Sequence, residues 1–196
     1  MKMNSASVKQ SPPANCAWKS LGDLADYING RAFKPQDWST RGIPIIRIEN
    51  LTDPAAPYNS FDGEVDERYL INNGDLLLSW SATLDAFLWN RGQAILNQHI
   101  FRVCEYDALV EKKFLYYLLR ATMARIRLQI HGATMKHITR PIFESIQVLI
   151  PKDKKEQQAI TDHLEIKMAE AQRLRMAAER QFRSAVFLSQ NVTTQA

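Results

Sequence analysis

The sequence predicts an α+β fold: a mixed, mostly β domain with packed helices, followed by one long helix of coiled-coil type. Three observations carry this prediction. Between about residues 18 and 107, short apolar runs alternate with turn signals. Residues 108–130 then place apolar side chains at spacings of three and four. From about residue 154 to 188 the chain runs without a Gly or a Pro.

Taken in order, residues 1–17 are polar and contain Pro12 and Pro13, so a flexible segment is expected there, with order beginning near Trp18. The apolar runs 43–48, 76–78, 87–89, 94–96 and 100–103 read as strands joined by long loops, and 18–151 as one domain. Val110, Phe114, Leu115, Leu118, Leu119, Met123, Ile126 and Ile130 then form one face of a helix. Lys112, Lys113, Arg120, Arg125 and Arg127 fall between them, so this helix should pack on the sheet. Gly132 ends it, a polar segment follows, and 146–150 reads as a buried strand before Pro151.

Residues 152–188 form the spacer or dimerisation helix, spanning roughly 50 Å at about 1.5 Å per residue, with a flexible tail at 189–196. Its stripe Ile160, Leu164, Met168, Ala171, Leu174, Ala178, Phe182 and Ala185 steps by threes and fours, close to a coiled-coil repeat. Such a stripe requires a partner helix, and the small alanines permit close approach.

Composition narrows the class. A 196-residue chain with 45% hydrophobic residues can bury a real core. Its 25 Lys and Arg against 21 Asp and Glu give a net charge of +4, a mild lean toward polyanions. Cys16 and Cys104 show neither a disulfide framework nor a metal-ligand spacing, and two thiols suit a reducing compartment. With no signal-peptide core and no apolar run near the roughly 20 residues that cross a bilayer, a soluble cytoplasmic protein is expected. No phosphate-cradling Gly-rich loop, nucleophile elbow or spaced acidic pair is present. Asp53-Pro54-Ala55-Ala56-Pro57-Tyr58 reads as a proline turn. No active site is assembled.

Six short motifs stand in a fixed order: Leu21-Gly22-Asp23 with Ile28-Asn29-Gly30; Gly42-Ile43-Pro44-Ile45-Ile46-Arg47-Ile48; Gly74-Asp75-Leu76-Leu77-Leu78-Ser79; Asn97-Gln98-His99; residues 132–138; and Pro151 with Glu156-Gln157. Together they closely resemble one target-recognition repeat of the specificity subunits of type I restriction-modification systems. The chain departs from that pattern at Ser81-Ala82-Thr83, where the family often carries a second Gly. The resemblance implies a non-catalytic, sequence-specific DNA-binding component that reads a half-site of double-stranded DNA. It further implies docking of methyltransferase and restriction subunits, which hold S-adenosylmethionine, ATP and Mg, while this chain has no cofactor or metal of its own. Full-length members carry two recognition domains and two long helices, whereas this chain shows no internal repeat. A half-subunit or fragment is therefore expected, one that homodimerises through its C-terminal helix. The alternative is an interaction scaffold or inhibitory partner that has lost DNA specificity.

Candidate contacts follow from the need for cations on phosphates and for amides, hydroxyls or Arg on base edges. Arg31 and Lys34 flank Phe33 after Gly30; read alone, they make a solvated turn. Ser79, Ser81 and Thr83 follow an apolar run and are expected at a strand end, with Trp80 in the core. Asn97, Gln98 and His99 form either a hairpin turn or an amide pair suited to adenine. His131, Thr134, Lys136 and His137 form the densest polar cluster, and Lys136 is expected on phosphate, with Arg140 extending the positive edge.

Overall fold

The computed structural model describes residues 11–81, 83–130 and 139–193. In chain order its elements are β1 (Cys16–Ser20), β2 (Ala25–Asn29), β3 (Ile43–Ile46), α1 (Ile48–Thr52), β4 (Asn59–Phe61), β5 (Leu70–Ile71), β6 (Leu76–Ser79) and β7 (Asp85–Leu88). They continue with β8 (Ala94–Leu96), β9 (Ile100–Glu105), α2 (Lys112–Ile130), α3 (Arg140–Glu144), β10 (Gln147–Pro151) and α4 (Lys154–Thr193). The fold is α+β, as expected. The chain divides into two compact units between Gln157 and Gln158.

In the first unit the strands form three sheets. β2-β9-β6-β7 is antiparallel throughout; β4-β3-β8-β5 contains one parallel pair, β3 with β8; β1 and β10 form an antiparallel ribbon. The middle strand β6 reads Leu76-Leu77-Leu78-Ser79 and is buried at every position. Successive strand residues point to opposite faces. Leu76 and Leu78 thus enter a core with Tyr27, Phe101 and Val103, while Leu77 enters a second core with Ile46, Ile71, Trp89 and Leu96. Coverage on both faces is why this segment is continuously apolar rather than alternating.

Helix α2 covers one of those faces. Phe114, Leu115, Leu119, Met123 and Ile126 are buried along its predicted stripe, and Val110 is buried just ahead of it. Arg120 and Arg127 lie 3.4 and 3.7 Å from the Asp85 carboxylate of β7, tying the helix to the sheet edge. Residues 108–111, expected as helix, form instead the turn that leads into it, with the Val110 amide donating to the Tyr106 carbonyl. The Gly132 stop lies outside the described residues.

The first motif is a closed 3-10 turn, Leu21–Asp23. Ser20 Oγ accepts from the Asp23 amide at 3.2 Å, and the Ser20 amide donates to the Asp23 carboxylate at 2.8 Å. That backbone bond and the Ser20 hydroxyl hold the Asp23 carboxyl below its ordinary value. At Gly74 the turn into β6 takes φ +92°, the left-handed region that favours glycine. The last motif closes the unit: Gln157 is fully buried and ties the ends of β10 and α2 together.

In the second unit, α4 continues as a helix to Thr193. Ile160, Leu164, Met168, Leu174 and Phe182 of the expected stripe are exposed along it. Ion pairs Lys167–Glu170 and Arg175–Glu179 lie on its surface. Among the described residues, no helix is long and apolar enough to cross a membrane.

Candidate functional site

Parallel pairing of β3 with β8, Ile45 against Ile95 and Ile46 against Leu96, brings the carboxyl ends of both strands to one edge. In open sheets that is where ligands gather. The residues leaving the two strands, Arg47-Ile48-Glu49 and Asn97-Gln98-His99, therefore lie side by side and line a cleft of about 300 Å³. The Asn97 amide donates to the Ile46 carbonyl at 3.1 Å, and the Arg31 amide donates to the Leu96 carbonyl at 2.8 Å. The close approach of these loops requires Gly30, since a Cβ there would stand 2.2 Å from the Asn97 carbonyl oxygen.

Each wall of the cleft has a fixed base. The Arg47 amide donates to Asn50 Oδ1 at 3.0 Å, and Asn50, fully buried, donates in turn to the Ala56 and Pro57 carbonyls, both at 3.2 Å. The Arg47 guanidinium pairs with Glu49 and lies 5.5 Å from the centre of the Trp38 ring. Its Nε is buried without a hydrogen-bond partner among the described residues. Across the cleft Gln98 Nε2 lies 3.2 Å from His99 Nε2, and both side chains are exposed. Behind them the His99 ring packs on Trp80 at 5.7 Å, and Trp80 stacks on Phe101 of the core at 5.8 Å.

Of the residues expected from sequence, Asn97, Gln98 and His99 come together here as a polar turn at a strand end. Arg31 is placed differently from a free phosphate contact. Its guanidinium lies against the Phe33 and Phe61 rings, 5.0 and 4.4 Å from their centres, where those two rings themselves pack edge to face at 5.4 Å, and it donates to the Glu64 carbonyl at 3.4 Å, so it staples two loops. Lys34 is exposed. Ser79, expected at the surface, is fully buried, and its hydroxyl donates to the Ser81 carbonyl at 3.1 Å. The reason is the coverage of β6 on both faces: its last residue is still inside the sandwich. Ser81 and Thr83 are half-buried. Trp80 is packed against the core, as expected. Arg140 is exposed and bonded to Glu144 at 2.6 Å. His131, Thr134, Lys136 and His137 lie outside the described residues.

Sequence reasoning did not single out Arg47, Glu49 or Trp38 as site residues. The one available signal was local: Arg47 is the lone charge inside the apolar run 43–48. Chemically the cleft offers a guanidinium fork, a carboxylate, two amides and an imidazole, a set rich in hydrogen-bond donors and acceptors. Among the described residues, no group of three or more His, Cys, Asp or Glu is placed to hold a metal ion.

The family model for the type I restriction modification DNA specificity domain matches residues 13–172. A curated relative, the type I restriction enzyme MjaVIII specificity subunit of Methanocaldococcus jannaschii, is 24% identical over 135 residues, 67% of this chain and 31% of that protein. Among solved structures, the HsdS subunit from Thermoanaerobacter tengcongensis superposes with a TM-score of 0.67 at 17% identity, over 88% of this chain and 42% of its own. A chain from a structure addressing complex assembly and conformational transition of the type I R-M system gives 0.69 at 18% identity, over 87% and 43%. The S subunit from M. genitalium gives 0.56 at 17% identity, over 78% and 38%. The chain thus spans less than half the length of each of these proteins, and the structural likenesses establish the fold.

Proposed function

Since the chain belongs to the type I restriction modification DNA specificity domain family, we propose that it is a specificity component that reads a short half-site of double-stranded DNA at the edge where β3 and β8 end. The observation that carries this reading is the convergence of Arg47, Asn97, Gln98 and His99 on one cleft. Those side chains supply the donors and acceptors that base edges demand. Phosphate contacts come from Lys34 and the polar segment holding His131, Thr134, Lys136 and His137, and the hydroxyls of Ser81 and Thr83 add hydrogen bonds to the DNA.

In this reading the chain performs no chemistry. A methyltransferase subunit holds S-adenosylmethionine and flips the target adenine, and a restriction subunit supplies the ATP- and Mg-dependent steps, in the cytoplasm. The long helix is spacer and dock. Its exposed stripe, from Ile160 through Leu164, Met168, Ala171, Leu174 and Ala178 to Phe182, pairs with the same stripe of a second copy as a coiled coil. A two-fold pair reads an inverted, interrupted repeat.

The test is to co-express the chain with its cognate methyltransferase subunit and map modified adenines across the host genome. A recurrent interrupted motif is expected. A complex that assembles yet leaves no recurrent motif would replace this reading with that of a scaffold without DNA specificity.

A further inference from the structure

We propose that Arg47 and Glu49 act together as a reader of one G·C base pair in the major groove. The inference rests on the DNA-recognition reading and goes beyond it by naming what the cleft selects.

A cation placed to neutralise a phosphate gains nothing from a carboxylate bonded to it, because that carboxylate repels the same phosphate. Arg47 is bonded to Glu49, whose side chain is 51% exposed at the mouth of the cleft. This pair is therefore unsuited to the backbone and suited to groups that offer donors and acceptors together.

The pair is also complementary to one base pair. In the major groove, guanine offers two acceptors, O6 and N7, and its cytosine partner offers one donor, the N4 amino group; A·T pairs interleave donor and acceptor differently. The Arg fork carries five N–H donors and no acceptor. Glu49 engages one of its edges, the Trp38 ring lies against it, and Nε is inside, which leaves the remaining donors for the cleft. Two donors from Arg47 beside one acceptor from Glu49 match G·C. Next to them, the Asn97 and Gln98 amides carry the donor and acceptor pair that suits adenine.

The arm is rigid at its root. Specific readout needs an arm whose root does not move, and the Arg47 backbone is held by Asn50, which is fully buried and pinned to the Ala56 and Pro57 carbonyls. Trp38, 43% exposed, supports the guanidinium at the surface.

The test uses the full chain co-expressed with its methyltransferase subunit and reads the motif by modified-adenine mapping, for wild type, Arg47→Lys and Glu49→Ala. Lys keeps the charge but not the two-pronged geometry. The wild-type motif is expected to specify at least one G·C pair. Both variants should make that same position degenerate, with a loss of preference there of about 10- to 100-fold and the other positions unchanged. Trp fluorescence of the purified variants checks that the domain is folded. A wild-type motif with no specified G·C pair, an unaltered motif in both variants, or a uniform fall in methylation at every site would each overturn this inference alone. Absence of any wild-type motif would overturn the DNA-recognition reading itself, and this inference with it.

Discussion

Gln157 sits fully buried in the first turn of α4, donating to the Pro151 carbonyl at 2.9 Å and the Leu109 carbonyl at 3.1 Å and accepting from the Glu111 amide at 2.8 Å. It joins the end of β10, the turn before α2 and the start of that helix. Replacing it with Met keeps the volume and removes these bonds. The Pro151 carbonyl is then left unpaired in the interior, at about 1–3 kcal/mol, and the two part-buried groups cost about 1 kcal/mol each after partial recovery of water. The sum is about 3–5 kcal/mol, a large share of the 5–15 kcal/mol typical of a domain. Gln157→Ala should cost about 1–2 kcal/mol more, since it also opens a cavity. The assay is urea unfolding followed by Trp fluorescence, which reports on the first unit because Trp18, Trp38, Trp80 and Trp89 all lie there. The midpoint should fall with an unchanged slope. A Gln157→Met midpoint equivalent to less than about 0.5 kcal/mol of destabilisation, the range of an ordinary surface change, would refute the reasoning.

Two further outcomes follow from the same structure. Arg31→Ala removes a cation packed against two aromatic rings and should lower stability by about 1–3 kcal/mol without altering the methylation motif; unchanged stability with a flatter salt dependence of DNA binding would instead make Arg31 a phosphate contact. Leu164→Glu combined with Leu174→Glu places charges on the exposed stripe of α4 and should abolish self-association in sedimentation while leaving the Trp unfolding midpoint in place; a wild-type chain that stays monomeric at tens of micromolar would remove the proposed homodimer.

Much of the fold was legible because its signals are local. The three-and-four spacing from Phe114 to Ile126 places one buried stripe on α2, and the absence of Gly and Pro after Lys154 marks one long helix, which runs past the expected end at residue 188, into the expected flexible tail, as far as Thr193. The run of three leucines in β6 marked a buried strand. It did not reveal which residue faces which core, because a strand covered on both sides loses the alternation that would show it. Ser79 was misplaced on the surface for that reason.

The sequence by itself thus determined the two long helices, the most apolar strands and the set of motifs that belongs to this family, since each depends on neighbours within a few positions; the short helices α1 and α3 and the strands β1, β2, β4 and β5 carry too little local pattern to be read this way. Tertiary structure alone decided which loops share a site. Arg47-Ile48-Glu49 and Asn97-Gln98-His99 meet because β3 and β8 pair in parallel, and Gly30-Arg31 joins them through its bridge to Asn97 at the end of the β2–β9 pairing. That pairing is set by hydrogen bonds and burial between distant segments, and no local pattern encodes it. It also gave Arg31 to the Phe33 and Phe61 rings and placed Arg47 in the cleft beside Asn97. A side chain's role follows from what lies opposite it, and that is decided only when the strands find their register.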